Sequence, residues 1–229
     1  MSDASVVLVH GAWADGSSWA KVIGPLAADG IKVVAAPLPL TSFHDDVAAL
    51  DRTLERATGS VVLVGHAYAG AVIGAARDAK VKALVYVAAL APDEGETVAD
   101  VFYRAEPHPQ APKLAPDQHG LIYLPEEAFA AAFAQDAPVE EQVVLAAVQR
   151  PISPACITVA VDRPLWKDRP TWFLVAEQDH MIAPETQRFM AQRMQAKVRS
   201  YPVDHSPIVT APAVVVDIIR EAIGEVVAG

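Results

Sequence analysis

Short valine-rich runs alternate with helical patterns from the start of the chain, and no other feature limits its fold as much. Residues 6–9 precede a helical pattern near 18–28, residues 33–36 precede one near 43–57, residues 61–64 feed one after Tyr68, and residues 83–87 form a fourth run. A strand that is apolar along its whole length is covered on both faces, and strands separated by amphipathic helices imply βαβ units. The second helical pattern shows the period well: Val47, Leu50 and Leu54 share a face, Ser42 stands where a cap belongs, and Asp45 and Asp46 suit the positive N-terminus.

The alternation stops near residue 92 and stays absent to about residue 166. That stretch holds several prolines, two acidic helix starts at Pro125-Glu126-Glu127 and Pro138-Val139-Glu140-Glu141, and helical faces with Phe129, Phe133, Val144 and Val148. It is expected to be a helical cap, 92–166, inserted in the domain. Beyond it residues 171–175 read as a strand, Pro184 opens a helix to about residue 194, residues 197–201 are a strand, and Pro212 opens the last helix. The expected class is α/β, a mostly parallel sheet of about six strands flanked by helices.

A chain of 229 residues, 52% of them apolar, fits a single domain, 1–229, with a substantial core. The formal net charge of −10 comes with no basic cluster, which argues against nucleic acid or an anionic membrane as a partner. Cys156 is the single cysteine, so an intramolecular disulfide is excluded, and it reads as a small buried side chain. The first strand begins by Ser5, leaving no room for a signal peptide, and no apolar run reaches the roughly 20 residues of a bilayer span. A cytoplasmic protein is expected.

The run 61–64 ends in Gly65-His66-Ala67-Tyr68-Ala69-Gly70, which has the form G-x-S-x-G with alanine where serine stands. In that form a sharp strand-to-helix turn lifts a nucleophilic hydroxyl above the sheet, and small flanking residues let the chain turn without clashing. Ala67 has no hydroxyl to lift. A phosphate-cradling turn is the competing reading, but it calls for G-x-G-x-x-G or a P-loop lysine, and neither is present. After the first strand, His10-Gly11-Ala12-Trp13 forms a loop that can aim a backbone N–H at the same spot as the N–H following residue 67. Ala12 and Tyr68 are thus the candidate donors to a developing oxyanion, and His10 reads as a histidine shaping the loop. Asp179 follows the run 171–175, and His205 comes 26 positions later, after the next strand. Acyl transfer needs such a base with a carboxylate to orient it, and the ends of parallel strands are where α/β folds collect functional groups.

On these residues the chain resembles the α/β-hydrolase superfamily, in particular the esterase-like branch that includes plant methylesterases and hydroxynitrile lyases. The resemblance covers His10 to Trp13, the turn 65–70, the cap, Gln178-Asp179 before Ile182-Ala183-Pro184-Glu185, and Asp204-His205. It implies the nucleophile position at Ala67, the acid at Asp179, the base at His205 and the oxyanion N–H groups at Ala12 and Tyr68. It also implies a small ester as substrate. Ala69 in place of the usual glycine is a mild departure, whereas Ala67 removes the attacking group. Trp13, Tyr123, Phe129, Phe133 and Trp166 are the candidate substrate-pocket residues, and the aromatics of the cap, Phe102 and Tyr103 with them, are expected to split between cap core and pocket wall. No cofactor is implied, and His44, His66, His108, His119 and His180 show no metal-ligand spacing. Ser17 and Ser18 read as helix caps. Three readings of Ala67 stay open: a serine hydrolase with alanine substituted for the nucleophile, a lyase or hydrolase using His205 and Asp179 as a base without a covalent step, and a binding protein that keeps the pocket as a receptor.

Overall fold

A computed structural model describes residues 4–228, with side chains through residue 226. Six strands, β1 Ala4–Val9, β2 Lys32–Ala36, β3 Ser60–His66, β4 Val81–Val87, β5 Thr171–Ala176 and β6 Lys197–Tyr201, form one sheet in the order β2-β1-β3-β4-β5-β6. Every neighbouring pair is parallel. The runs 6–9, 61–64 and 83–87 lie in the central strands, where β1, β3 and β5 are buried almost throughout, while the run 33–36 falls in the edge strand β2, which with β6 carries Lys32, Lys197 and Arg199 toward solvent.

Helices α1 Ala20–Ala28, α2 Phe43–Arg56 and α3 Ala69–Gly74 follow the first three strands. Between β4 and β5 the chain contributes α4 Val98–Phe102, α5 Glu126–Ala128 and α6 Val139–Val148, and its last third adds α7 Pro184–Arg193, α8 Pro207–Thr210 and α9 Pro212–Ala228. Ser42 caps α2 by accepting the Asp45 N–H at 3.1 Å. The turn before α1 is capped by Asp15, which accepts the Ser17 N–H at 2.8 Å, so Ser17 and Ser18 are not the caps expected.

Residues 92–166 are less helical than their sequence suggests. Apart from α4 to α6 they hold a π-helical turn, Phe129–Phe133, two short 3-10 turns and the isolated bridges Thr97↔Ala160 and Ile122↔Ile152. Pro107, Pro109, Pro112 and Pro116 keep the stretch between α4 and α5 irregular. Phe129 and Phe133 face inward, but Val144 and Val148 do not: they are 57% and 44% exposed. α6 rests on the π-helical turn along a stripe so narrow that Leu145 alone is buried. Among the described residues, no helix is long and apolar enough to cross a membrane.

The register positions the site. Val9 at the end of β1 stands beside Gly65 near the end of β3, so the loops leaving these two central strands emerge side by side.

Candidate active site

Ala67 leaves β3 at φ +50°, in the left-handed region that a residue with a Cβ seldom occupies. The turn is held by hydrogen bonds from the Ala67 N–H to Val87 O at 3.2 Å and from the Gly70 and Leu90 N–H groups to Ala67 O at 3.1 and 2.9 Å. Its tightness explains Gly70, where a Cβ would come within 2.3 Å of Leu90 O. Ala69 is accommodated, fully buried.

A planar trans peptide points its C=O and N–H in opposite directions, so fixing one fixes the other. Ala67 O, with its two donors, belongs to the peptide that carries the Tyr68 N–H. On the other side, His10 Nδ1–H donates to Gly11 O at 2.9 Å, in the peptide that carries the Ala12 N–H. The His10 tautomer is set because Nε2 accepts the Leu38 N–H at 3.0 Å, and burial lowers the pKa of this imidazole. The N–H groups of Ala12 and Tyr68 donate to no backbone acceptor among the described residues. Both residues line one narrow, predominantly apolar cleft together with Trp13, Ala67 and His205.

Asp179 and His205 come from the loops after β5 and β6 and are both buried. His205 Nδ1–H donates to Asp179 Oδ2 at 2.8 Å. Gln187 Nε2 reaches the same oxygen at 2.7 Å, and the N–H groups of Met181 and Ile182 donate to Oδ1 at 2.7 and 2.8 Å. Four donors thus fill the carboxylate. In the tautomer with its proton on Nδ1, His205, which lines the cleft, keeps a lone pair on Nε2, an atom with no hydrogen-bond partner among the described residues. His66 lies beneath, ring centroids 5.0 Å apart, and its Nε2–H donates to His205 O at 2.7 Å. Burial, and next the neighbouring His205, hold the His66 imidazole down to about 3, so it stays neutral.

Tyr68 extends away from the cleft to a buried carboxylate on α2. Its hydroxyl donates to Asp46 Oδ2 at 2.7 Å, and Oδ1 accepts the N–H of Leu40, itself at φ +60°. Among the described residues Asp46 has no cation partner, and burial raises its pKa. Cys156 Sγ closes the cluster at 3.5 Å from Oδ2, where burial, with Asp46 second, pushes the thiol up to about 12. A thiol so protonated and enclosed is no nucleophile.

Of the five aromatic residues expected on the pocket wall, Trp13 alone lines the cleft. It sits at φ +58° and ties the loop to the inserted stretch, donating its N–H to Arg150 O at 3.1 Å and Nε1–H to Ile122 O at 3.0 Å. Phe133 stands behind the wall, 6.3 Å from Trp13 and 5.3 Å from His205 between centroids, and Phe129 packs on Phe133. Trp166 packs at Gly74 and Pro92, and Tyr123 is 49% exposed. The wall is instead aliphatic, with Val98, Leu114, Ile122, Ile152 and Ile157, plus Phe102 and Tyr103. Phe129, Phe133 and Trp166 pack in the one hydrophobic core that the sheet also forms, while α4 and the irregular segments after it line the cleft. His180 points away from His205, its Nδ1–H donating to Ala131 O at 2.8 Å and its ring stacked on His108. No group of three or more possible metal ligands occurs among the described residues.

Asp46 and Gln187 escaped the sequence reading, although the signal exists. Asp46 lies on the stripe of Leu50 and Leu54, and Gln187 on that of Met190, Ala191 and Met194; a polar residue at an apolar stripe position is buried by the same geometry.

The alpha/beta hydrolase family profile matches residues 6–218. The chain belongs to the alpha/beta hydrolase family. No curated protein matches it significantly. Among solved structures it is similar to polyneuridine aldehyde esterase (TM-score 0.82, 19% identity, 96% of this chain and 99% of that one). A pyrethroid hydrolase from Sphingobium faniae JZ-2 is similar too (TM-score 0.80, 22% identity, 96% and 98%). So is a methylesterase from Arabidopsis (TM-score 0.78, 17% identity, 96% and 98%). At these identities the likeness establishes the fold, an α/β-hydrolase sheet with its helices, in line with the expected class.

Proposed function

We propose that the cleft is an acyl-transfer site for a small neutral ester, closed to covalent chemistry in this chain because Ala67 occupies the nucleophile position. The observation that carries this reading is Ala67 itself: a strained φ of +50° at the strand-to-helix turn, lining the same cleft as His205 and both free N–H groups. An alanine draws no benefit from that backbone conformation, whereas a hydroxyl there would be presented to the base. The ester carbonyl would sit against the N–H groups of Ala12 and Tyr68, which a side-chain change leaves in place. Neutrality follows from the walls. His205 is the one charge-bearing side chain on the lining, and the Trp13 and Tyr68 heteroatoms are already engaged. The activities named for the similar structures, esterase and hydrolase, agree with an ester as substrate.

With serine restored, its Oγ would attack the carbonyl carbon and His205 Nε2 would take the proton. The base would then return that proton to the departing alcohol, and water would release the acid by the same relay. The test is reaction with a fluorophosphonate probe. Ala67→Ser should be labelled and the parent chain should not; an unlabelled, folded Ala67→Ser protein would refute the assignment.

A second reading is favoured by the unpartnered Nε2 of His205: the dyad could act as a general base directly on water or on a substrate hydroxyl. It predicts that the parent chain turns over p-nitrophenyl esters or cleaves a hydroxyl-bearing substrate, and that His205→Ala abolishes this. A parent chain that neither turns over such esters nor cleaves a hydroxyl-bearing substrate excludes it.

A further inference from the structure

Gln187, in the first half of α7, is fully buried and uses every polar atom it has. Oε1 accepts the Ala176 N–H at 3.0 Å, and Nε2 donates to Ile182 O at 2.9 Å and to Asp179 Oδ2 at 2.7 Å. The amide cannot be reversed, because a backbone N–H faces one end and a carbonyl the other. A side chain that only braced the 176–182 turn would need the two backbone contacts. The third goes to the oxygen that also accepts His205 Nδ1–H at 2.8 Å.

We infer that Gln187 is a positioning residue that sets how strongly Asp179 supports the charged form of His205, by keeping a second proton donor on the shared oxygen. The inference rests on reading Asp179 and His205 as the acid and base of this site. Two consequences follow. Both carboxylate oxygens are held, Oδ1 by two backbone N–H groups and Oδ2 by Gln187, so the plane of the carboxylate is fixed before His205 engages it. In addition, a donor on Oδ2 draws negative charge away from the imidazole. Taking that donor away, or putting a carboxyl in its place, leaves more negative charge facing Nδ1 and makes His205 easier to protonate. Of the other titratable groups near His205, His66 packs against its ring and Asp204 precedes it in the chain. Asp204 is engaged by the Ser206 N–H, the Thr210 hydroxyl and the Asp136 N–H, and neither His66 nor Asp204 hydrogen-bonds to Gln187.

The test is a proton–nitrogen NMR titration of the parent chain and two variants, which requires no nucleophile. In the parent, the Gln187 side-chain amide resonances should move with the same midpoint as the His205 ring. Gln187→Glu should raise the His205 midpoint by about one pH unit or more, and Gln187→Met by a smaller amount in the same direction. A purely bracing role predicts lower thermal stability with an unmoved midpoint, and that result in either folded variant overturns the inference. Should neither variant fold, a parent amide resonance that ignores the His205 titration overturns it equally. In an Ala67→Ser background, Gln187→Met should shift the pH profile of kcat while KM holds. An inert Ala67→Ser protein whose His205 still responds to Gln187→Glu would sink the acyl-transfer reading and leave this inference standing.

Discussion

Asp179 cannot be replaced by its own amide without reversing the tautomer of His205. Two backbone N–H groups claim Oδ1, so an asparagine must place its NH₂ where Oδ2 was, opposite both the Gln187 amide and His205 Nδ1. Gln187 cannot turn over to receive it, and His205 would accept at Nδ1 and present a proton, not a lone pair, to the cleft. In the Ala67→Ser background, Asp179→Asn should therefore lower turnover by about 10⁴ with the fold intact, as judged by steady-state kinetics and circular dichroism. His180→Ala, whose ring stacks on His108, should cost far less; equal losses would mean that the acid is misassigned. Asp179, His205, Ala12 and Tyr68 could be picked out from sequence because strand ends and backbone turns leave local marks. Asp46 and Gln187 leave a mark of burial, a polar residue on an apolar stripe, but the partners that they and His66 meet lie 8 to 139 positions away in the chain, and only the closed sheet brings the pairs together.

The elements of the sheet follow directly from their residues, while those of the insertion do not. An apolar run buried on both faces has one stable environment, so β1, β3, β4 and β5 lie where the alternation puts them, and the more polar β2 and β6 take the edges. In the insertion, helix starts such as Pro138-Val139-Glu140-Glu141 are real, but which face turns inward depends on neighbours that the sequence does not announce. Val144 and Val148 are the case in point, facing solvent on α6. The turn between β3 and α3 is the element under the tightest steric control. A Cβ on Gly70 would meet Leu90 O at 2.3 Å and Ala89 Cβ at 2.9 Å, both parts of a segment already fixed to Ala67 O. Gly70→Ala should destabilise the protein by about 2 kcal/mol or more, whereas Gly24→Ala, with nothing near its Cβ, should be neutral or slightly stabilising. Urea unfolding of the two variants checks this, and a Gly70→Ala protein as stable as the parent would contradict the packed turn described above.

At the scale of the whole molecule, the buried titratable groups set how stability responds to acid. The folded His66 holds off its proton down to about pH 3, against 6.5 when exposed, so between those values the unfolded chain carries a proton that the native chain refuses. Stability from this group is present above 6.5 and is lost as pH falls, by up to about 1.4 kcal/mol per pH unit. His10, lowered by burial, acts in the same direction. Asp46 and Asp204 act in the opposite one: burial raises them, so on acidification the native chain takes up their protons before the unfolded chain does, which offsets part of the loss. The net slope is a balance, and the His66 share can be isolated by substitution. His66→Gln keeps a donor for His205 O and removes the titrating ring, so it should cost some stability at pH 7 yet lose less on acidification than the parent does. Urea unfolding free energies at pH 7 and pH 4.5 should differ between parent and variant by about 2 to 3 kcal/mol in their change, the equivalent of one withheld proton over two pH units. Identical acid responses would mean that His66 accepts a proton in the native fold, and the neutral ring beneath His205 would have to be abandoned.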